Sequence, residues 1–80
     1  AVRIYPNPSS TGRVTVEFAP SSVAGSMDVI DVLGRVQMRI PIAPFQTSAT
    51  WNSAKAPKGM YLLRRNLGQR LVIMGKVLIQ

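Results

Sequence analysis

From Arg13 to Phe18 the chain alternates, with Arg13, Thr15 and Glu17 polar and Val14, Val16 and Phe18 apolar. Successive side chains of an extended backbone point to opposite faces, so this run predicts a half-buried strand. The same period of two recurs over 27–32 and 35–40, where Val36, Met38 and Ile40 are expected inward and Arg35, Gln37 and Arg39 outward. Between those runs, Asp31 and Gly34 form a hairpin signal. A carboxylate at the first turn position accepts from backbone N–H groups, and a glycine at the fourth takes positive φ, which predicts a type I turn with a bulge. Pro41 and Pro44 lack a donor and fix φ, so the ladder is expected to stop after Ile40.

Further strands are predicted over 46–51, with Thr47, Ala49 and Trp51 on one side, over 59–65, with Tyr61 and Leu63 on one face, and over 70–79. A turn falls at 66–69 and a short first strand at 3–5, which brings the count to about seven. No helical period appears, and turn signals recur at intervals of roughly 8 to 12 residues, the spacing of an antiparallel β-sandwich. Residues 21–26 and 54–58 read as loops. The lone tryptophan, Trp51, is expected to plug the core.

The last strand breaks the alternation. Leu71 to Met74 and Val77 to Ile79 are apolar on both faces, whereas a strand with one wet face should alternate cleanly. One face can enter the core and the other needs cover. That second face predicts a partner surface, by strand addition or by apolar docking, and it makes dimers through exposed or swapped strands an expected hazard. Arg64, Arg65, Gly75 and Lys76 are the residues expected to limit it.

Composition narrows the chemistry. The 80 residues contain no cysteine and no histidine, which removes the usual N/S metal sites, thiol chemistry and His-based catalytic arrangements. Glu17, Asp28 and Asp31 are the only carboxylates, too few and too scattered for a paired-carboxylate or calcium site. The expectation is a non-enzyme with no cofactor and no metal. One domain covers 1–80, and a chain starting at Ala without an apolar leader is expected to be excised from a larger secreted protein. No apolar run reaches the roughly 18 residues of a membrane helix.

Ten Lys and Arg against three acids give a net charge of +7, which invites an acidic partner or a nucleic acid. The basic residues are scattered over several segments, and the aromatics do not interleave with them as a base-stacking platform would, so no nucleic acid is expected. Solvated outer faces account for such scattered charge, and the functional reading that remains is a positive surface that meets an acidic partner or an anionic lipopolysaccharide.

Three pieces of the sequence carry a resemblance. They are Ile4-Tyr5-Pro6-Asn7-Pro8, then Val29-Ile30-Asp31-Val32-Leu33-Gly34-Arg35, then Pro57-Lys58-Gly59-Met60-Tyr61-Leu62-Leu63 running towards Lys76-Val77-Leu78-Ile79-Gln80. In this order, and covering nearly the whole chain, they resemble the C-terminal sorting domain (type A-like) of cargo proteins of the type IX (Por) secretion system. The resemblance implies a seven-stranded immunoglobulin-like β-sandwich, in agreement with the strand pattern. It also implies a secretion signal that carries a cargo through the periplasm to the cell surface or extracellular space.

Its implied partners are the outer-membrane translocon and a sortase-like processing protease, with cleavage and attachment to lipopolysaccharide. Matching motif to motif, the residues implied for translocon recognition are Gly59, Tyr61, Leu63, Lys76, Val77, Leu78 and Ile79. Those implied to shape the fold are Tyr5, Pro6, Asn7, Pro8, Asp31 and Gly34. Asn52-Ser53 stands where the family often has Asp-x-Ser, so the acid is lost here. The alternative reading is a non-catalytic immunoglobulin-like adhesive or carbohydrate-binding accessory module.

Overall fold

A computed structural model describes residues 2–80. Among them are seven strands: β1 (Arg3–Tyr5), β2 (Arg13–Glu17), β3 (Gly25–Ile30), β4 (Val36–Ile42), β5 (Ser48–Asn52), β6 (Gly59–Leu67) and β7 (Arg70–Ile79). They form two antiparallel sheets, ordered β1-β2-β5 and β4-β3-β6-β7. The all-β immunoglobulin-like sandwich expected from the pattern is what the chain forms.

The period-two rows meet between the sheets. Val14, Val16 and Phe18 come from the β2 segment, Ala49 and Trp51 from β5, and Met27, Val29, Tyr61, Leu63, Val77 and Ile79 from the facing sheet, all buried. Trp51 packs edge-on against Tyr61 with ring centroids 5.1 Å apart. The geometry is the one that the ring quadrupoles favour.

The β3–β4 hairpin has the expected turn. Gly34 N–H donates to the Asp31 carbonyl at 3.0 Å and Asp31 N–H to the Arg35 carbonyl at 2.9 Å, while Gly34 sits at φ 82°. The Asp31 carboxylate accepts from the N–H groups of Leu33 and Arg35, from Arg35 Nε and from Gln37 Nε2. Led by the Arg35 backbone bond, and against some desolvation, these contacts hold its pKa below the usual carboxylate value.

Two details differ from the sequence expectation. The ladder does not stop at Ile40, because β4 continues through Pro41 to Ile42. β4 is an edge strand, its ladder bonds alternate, and Pro41 occupies a position whose missing N–H would point away from β3. Val36 and Met38 are also not buried; they are 42% and 45% exposed. Met38 shares the face of its partner Val29, but β4 lies at the sheet margin, where the narrower three-stranded sheet gives little cover. A register shift between Val29 and Ile30 pairs Val36 with Ile30 on the opposite, outer face.

That outer face buries a charge. Asp28 has no exposed surface, yet it points away from the core and accepts from Arg39 Nε at 3.0 Å, Arg64 Nη2 at 2.9 Å and Ser26 Oγ at 2.9 Å. Burial pushes its pKa up, but the bonds from Arg64, Arg39 and Ser26 outweigh that and hold it below the usual value. Arg65, the neighbour of Arg64, turns the other way. Its guanidinium lies 4.5 Å from the Phe18 ring centroid and donates to the Ala19 carbonyl at 2.8 Å. Neither arginine is therefore a guard at the β7 edge.

Candidate functional site

The two ends of the chain meet. Asn7 uses its side-chain amide as a strand would use its backbone: Nδ2 donates to the Lys76 carbonyl at 3.0 Å, and Oδ1 accepts from Leu78 N–H at 3.2 Å. Ser9 continues the contact, its N–H donating to the Leu78 carbonyl at 2.8 Å and its own carbonyl accepting from Gln80 N–H at 2.9 Å. Residues 7–9 thus form a strap along the outward edge of the last part of β7, and Ser9 within it is buried. Pro6 and Pro8, both following cis peptide bonds, shape the strap. Tyr5, just before it, donates its hydroxyl to Glu17 Oε2 at 2.7 Å.

The other two pieces also converge. β3 ends at Ile30 while β6 begins further along at Gly59, and the gap between the Asp31–Gly34 turn and the start of β6 is a groove of about 510 Å³. Asp31, Val32 and Leu33 line one side, Lys58, Gly59 and Met60 the other. Gly59 adopts φ 145° with open space where a side chain would point, so its backbone conformation, not crowding, calls for glycine.

Burial sorts the seven residues marked for recognition. Tyr61, Leu63, Val77 and Ile79 are core residues, and the Tyr61 hydroxyl donates to the Pro57 carbonyl at 2.6 Å. They are out of reach of a partner while the domain stays folded. Gly59, Lys76 and Leu78 retain accessible surface, the last two on the outer face of the four-stranded sheet. Sequence reasoning missed Asp28 and the Asn7 strap: the first lies on a strand face expected to be wet, and the second depends on a contact across 71 positions.

The profile of the secretion system C-terminal sorting domain matches residues 3–80. The chain belongs to that family. None of the curated proteins compared with it matches. The sorting domain is a C-terminal signal for type IX secretion, a route that exports its cargo to the cell surface or extracellular space through interaction with the secretion machinery. Of the three matching pieces, the second and third lie along the four-stranded sheet and its Asp31–Gly34 turn, while the first runs from β1 of the three-stranded sheet into the strap that closes the β7 edge.

The strap has a measurable expectation. Asn7→Ala removes two side-chain bonds at an exposed edge, each worth about 0.5 to 1.5 kcal/mol net, so the melting temperature should fall by several degrees. Amide exchange at Leu78 should accelerate with it. Unchanged Leu78 protection would show that the strap is held by Ser9 alone.

Proposed function

We propose that the sorting domain acts by being recognised rather than by catalysis, and that the read surface is the outer face of the four-stranded sheet around Lys76 and Leu78, with Gly59 at the margin of that sheet where β6 begins. The observation that carries this is the contrast between the two outer faces. The three-stranded sheet shows water Arg3, Thr15, Glu17, Ser48, Thr50 and Asn52, a mainly polar surface in which the exposed Tyr5 is tied through its hydroxyl to Glu17. The four-stranded sheet shows Met60, Leu71 and Ile73 together with Arg39 and Lys76, and its only carboxylate, Asp28, is buried. An exposed apolar surface with a basic surround is the composition of a docking face.

In this reading the domain follows a cargo through the periplasm and docks on the outer-membrane translocon. The net +7 of the domain suits the anionic lipopolysaccharide of the membrane on which it docks; a sortase-like protease then removes the domain, and the cargo becomes attached to lipopolysaccharide. Cleavage would act before the strap, where the chain joins its cargo.

Transfer of function is the test. Fusion of the domain to a foreign exported protein should bring that protein to the cell surface in a cell that has the type IX system. Lys76→Glu, on an exposed side chain, should leave melting within about 3 °C of the parent and reduce display several-fold. Full display by the Lys76→Glu fusion would place recognition elsewhere on the domain.

A further inference from the structure

We propose that the outward edge of β7 at Leu71 and Ile73 accepts an extended strand from a partner, with apolar side chains at its centre and carboxylates at its ends. The proposal rests on the sorting reading for its biological setting, but the edge can be tested without export.

Hydrogen-bond phase identifies the edge. Leu67 pairs with Arg70 across a two-residue turn, and the register continues with Arg65 opposite Val72. In such a hairpin these pairs exchange the ladder bonds, while the residues between them, Leu71 and Ile73, turn N–H and C=O away from the partner strand. After the register shift between Leu63 and Arg64, the outward positions become Lys76, Leu78 and Gln80. The strap confirms that phase, because it bonds Lys76 O, Leu78 N, Leu78 O and Gln80 N. Residues 7–9 therefore close the far half of the edge and leave the near half open.

The other sheet margins are managed. β4 carries Pro41 and Arg39 at outward positions, β1 is only three residues long, and Gln46 Nε2 donates to the Ser48 carbonyl at the start of β5. Short length, proline and charge are the usual means of blunting an edge. At the outward positions of 71–73 there is neither proline nor charge, the register shift falls beyond Ile73, and Leu71 and Ile73 are 56% and 57% exposed.

Charge decides what kind of strand fits. Arg70 and Lys76 bracket the open stretch, and Arg39 and Arg64 lie on the same sheet, with Asp28 buried between them. No carboxylate on this sheet's outer face reaches solvent. A strand with apolar residues beside Leu71 and Ile73 and an acid beside Arg70 fits the open stretch, and an acid at its other end is directed towards Lys76, where the strap begins. A second copy of the chain supplies the apolar residues but brings another +7. Cross-strand apolar pairs and opposite-charge pairs both favour the acidic partner.

The probe is a seven-residue peptide with a valine-threonine-valine centre and two carboxylates at each end, titrated into the whole domain and followed by amide NMR. Leu71 and Ile73 amides should shift and gain exchange protection, and affinity should fall with added salt. A peptide with lysine ends should bind at least tenfold more weakly. So should one whose central amides are N-methylated, because it cannot donate to the edge. Ile73→Lys, on an exposed side chain, should weaken the acidic peptide at least tenfold with melting unchanged, and Leu71→Lys is an independent second variant.

Absence of binding, equal binding of the N-methylated peptide, or shifts centred elsewhere would overturn the proposal. So would protection of Leu71 and Ile73 that appears with self-association and without peptide, which would make a second copy the occupant. Normal peptide binding by a domain that fails to carry a fused protein to the surface would sink the sorting surface and leave the edge standing.

Discussion

Replacing Asp28 by alanine is expected to lower the melting temperature by about 15 °C or more. Its carboxylate has no exposed surface and holds Arg39, Arg64 and Ser26 in one cluster. Removing one member of a buried ion pair strands the remaining charge, at a cost of about 3 to 5 kcal/mol when both partners are enclosed. Here the arginines keep part of their hydration, Arg39 with 58% and Arg64 with 25% of the side chain exposed, which places the effect near the lower end. Even about 3 kcal/mol is large for a domain of this size, whose total stability by the usual per-residue range is on the order of 4 to 12 kcal/mol.

Arg64 Nε has no partner, so the cluster is not fully satisfied and its net stabilisation is smaller than the cost of breaking it. Asp28 also sets an acid limit. Its folded pKa is lowered, so its contribution is complete above the unfolded carboxylate value of about 3.9 and is lost as pH falls through the folded value. Asp31 contributes with the same sign. Stability should therefore be flat above about pH 5 and fall in stronger acid, and Asp28→Asn should flatten that acid limb. A melting temperature for Asp28→Ala within about 3 °C of the parent would mean that the arginines rehydrate freely.

Deletion of residues 75–80 is expected to abolish both folding and export. The deleted segment contributes Val77 and Ile79 to the core, the rungs opposite Gly59, Tyr61 and Leu63, and every acceptor and donor of the strap. Loss of two buried aliphatic side chains, at about 1.5 to 3 kcal/mol each for transfer alone, consumes much of the domain's stability before the lost ladder is counted. Circular dichroism of the truncated domain should show loss of cooperative melting, and a cargo carrying it should remain in the periplasm. Normal surface display after truncation would end the case for the terminal strand as signal. A truncated domain that melts like the parent and still fails in export would show instead that the last residues are read directly.

This coupling changes how the last strand of the chain is understood. Tyr61, Leu63, Val77 and Ile79 are held inside the sandwich as core residues. The accessible residues are those between them, Lys76 and Leu78, together with the apolar edge at 71–73. On the proposed reading, recognition uses alternate residues of one strand whose other residues build the core, so most substitutions there should act on both fold and signal.

The seven strands and the sandwich class were legible in the sequence because they depend on local physics, and the family was legible through the resemblance of three ordered motifs. Alternation along β2 and β5 needs only the two faces of a pleated strand, and the Asp31–Gly34 turn needs only a carboxylate and a positive-φ glycine within one loop. The all-apolar last strand likewise announced a surface in need of cover. What tertiary structure decided was which side of each edge is open. Pro41 is harmless because β4 is marginal, Asp28 is buried because arginines from two neighbouring strands fold over it, and Arg65 turns inward to Phe18. The Asn7 strap joins segments about 70 positions apart, and no local period can encode a pairing that exists only once both sheets have closed.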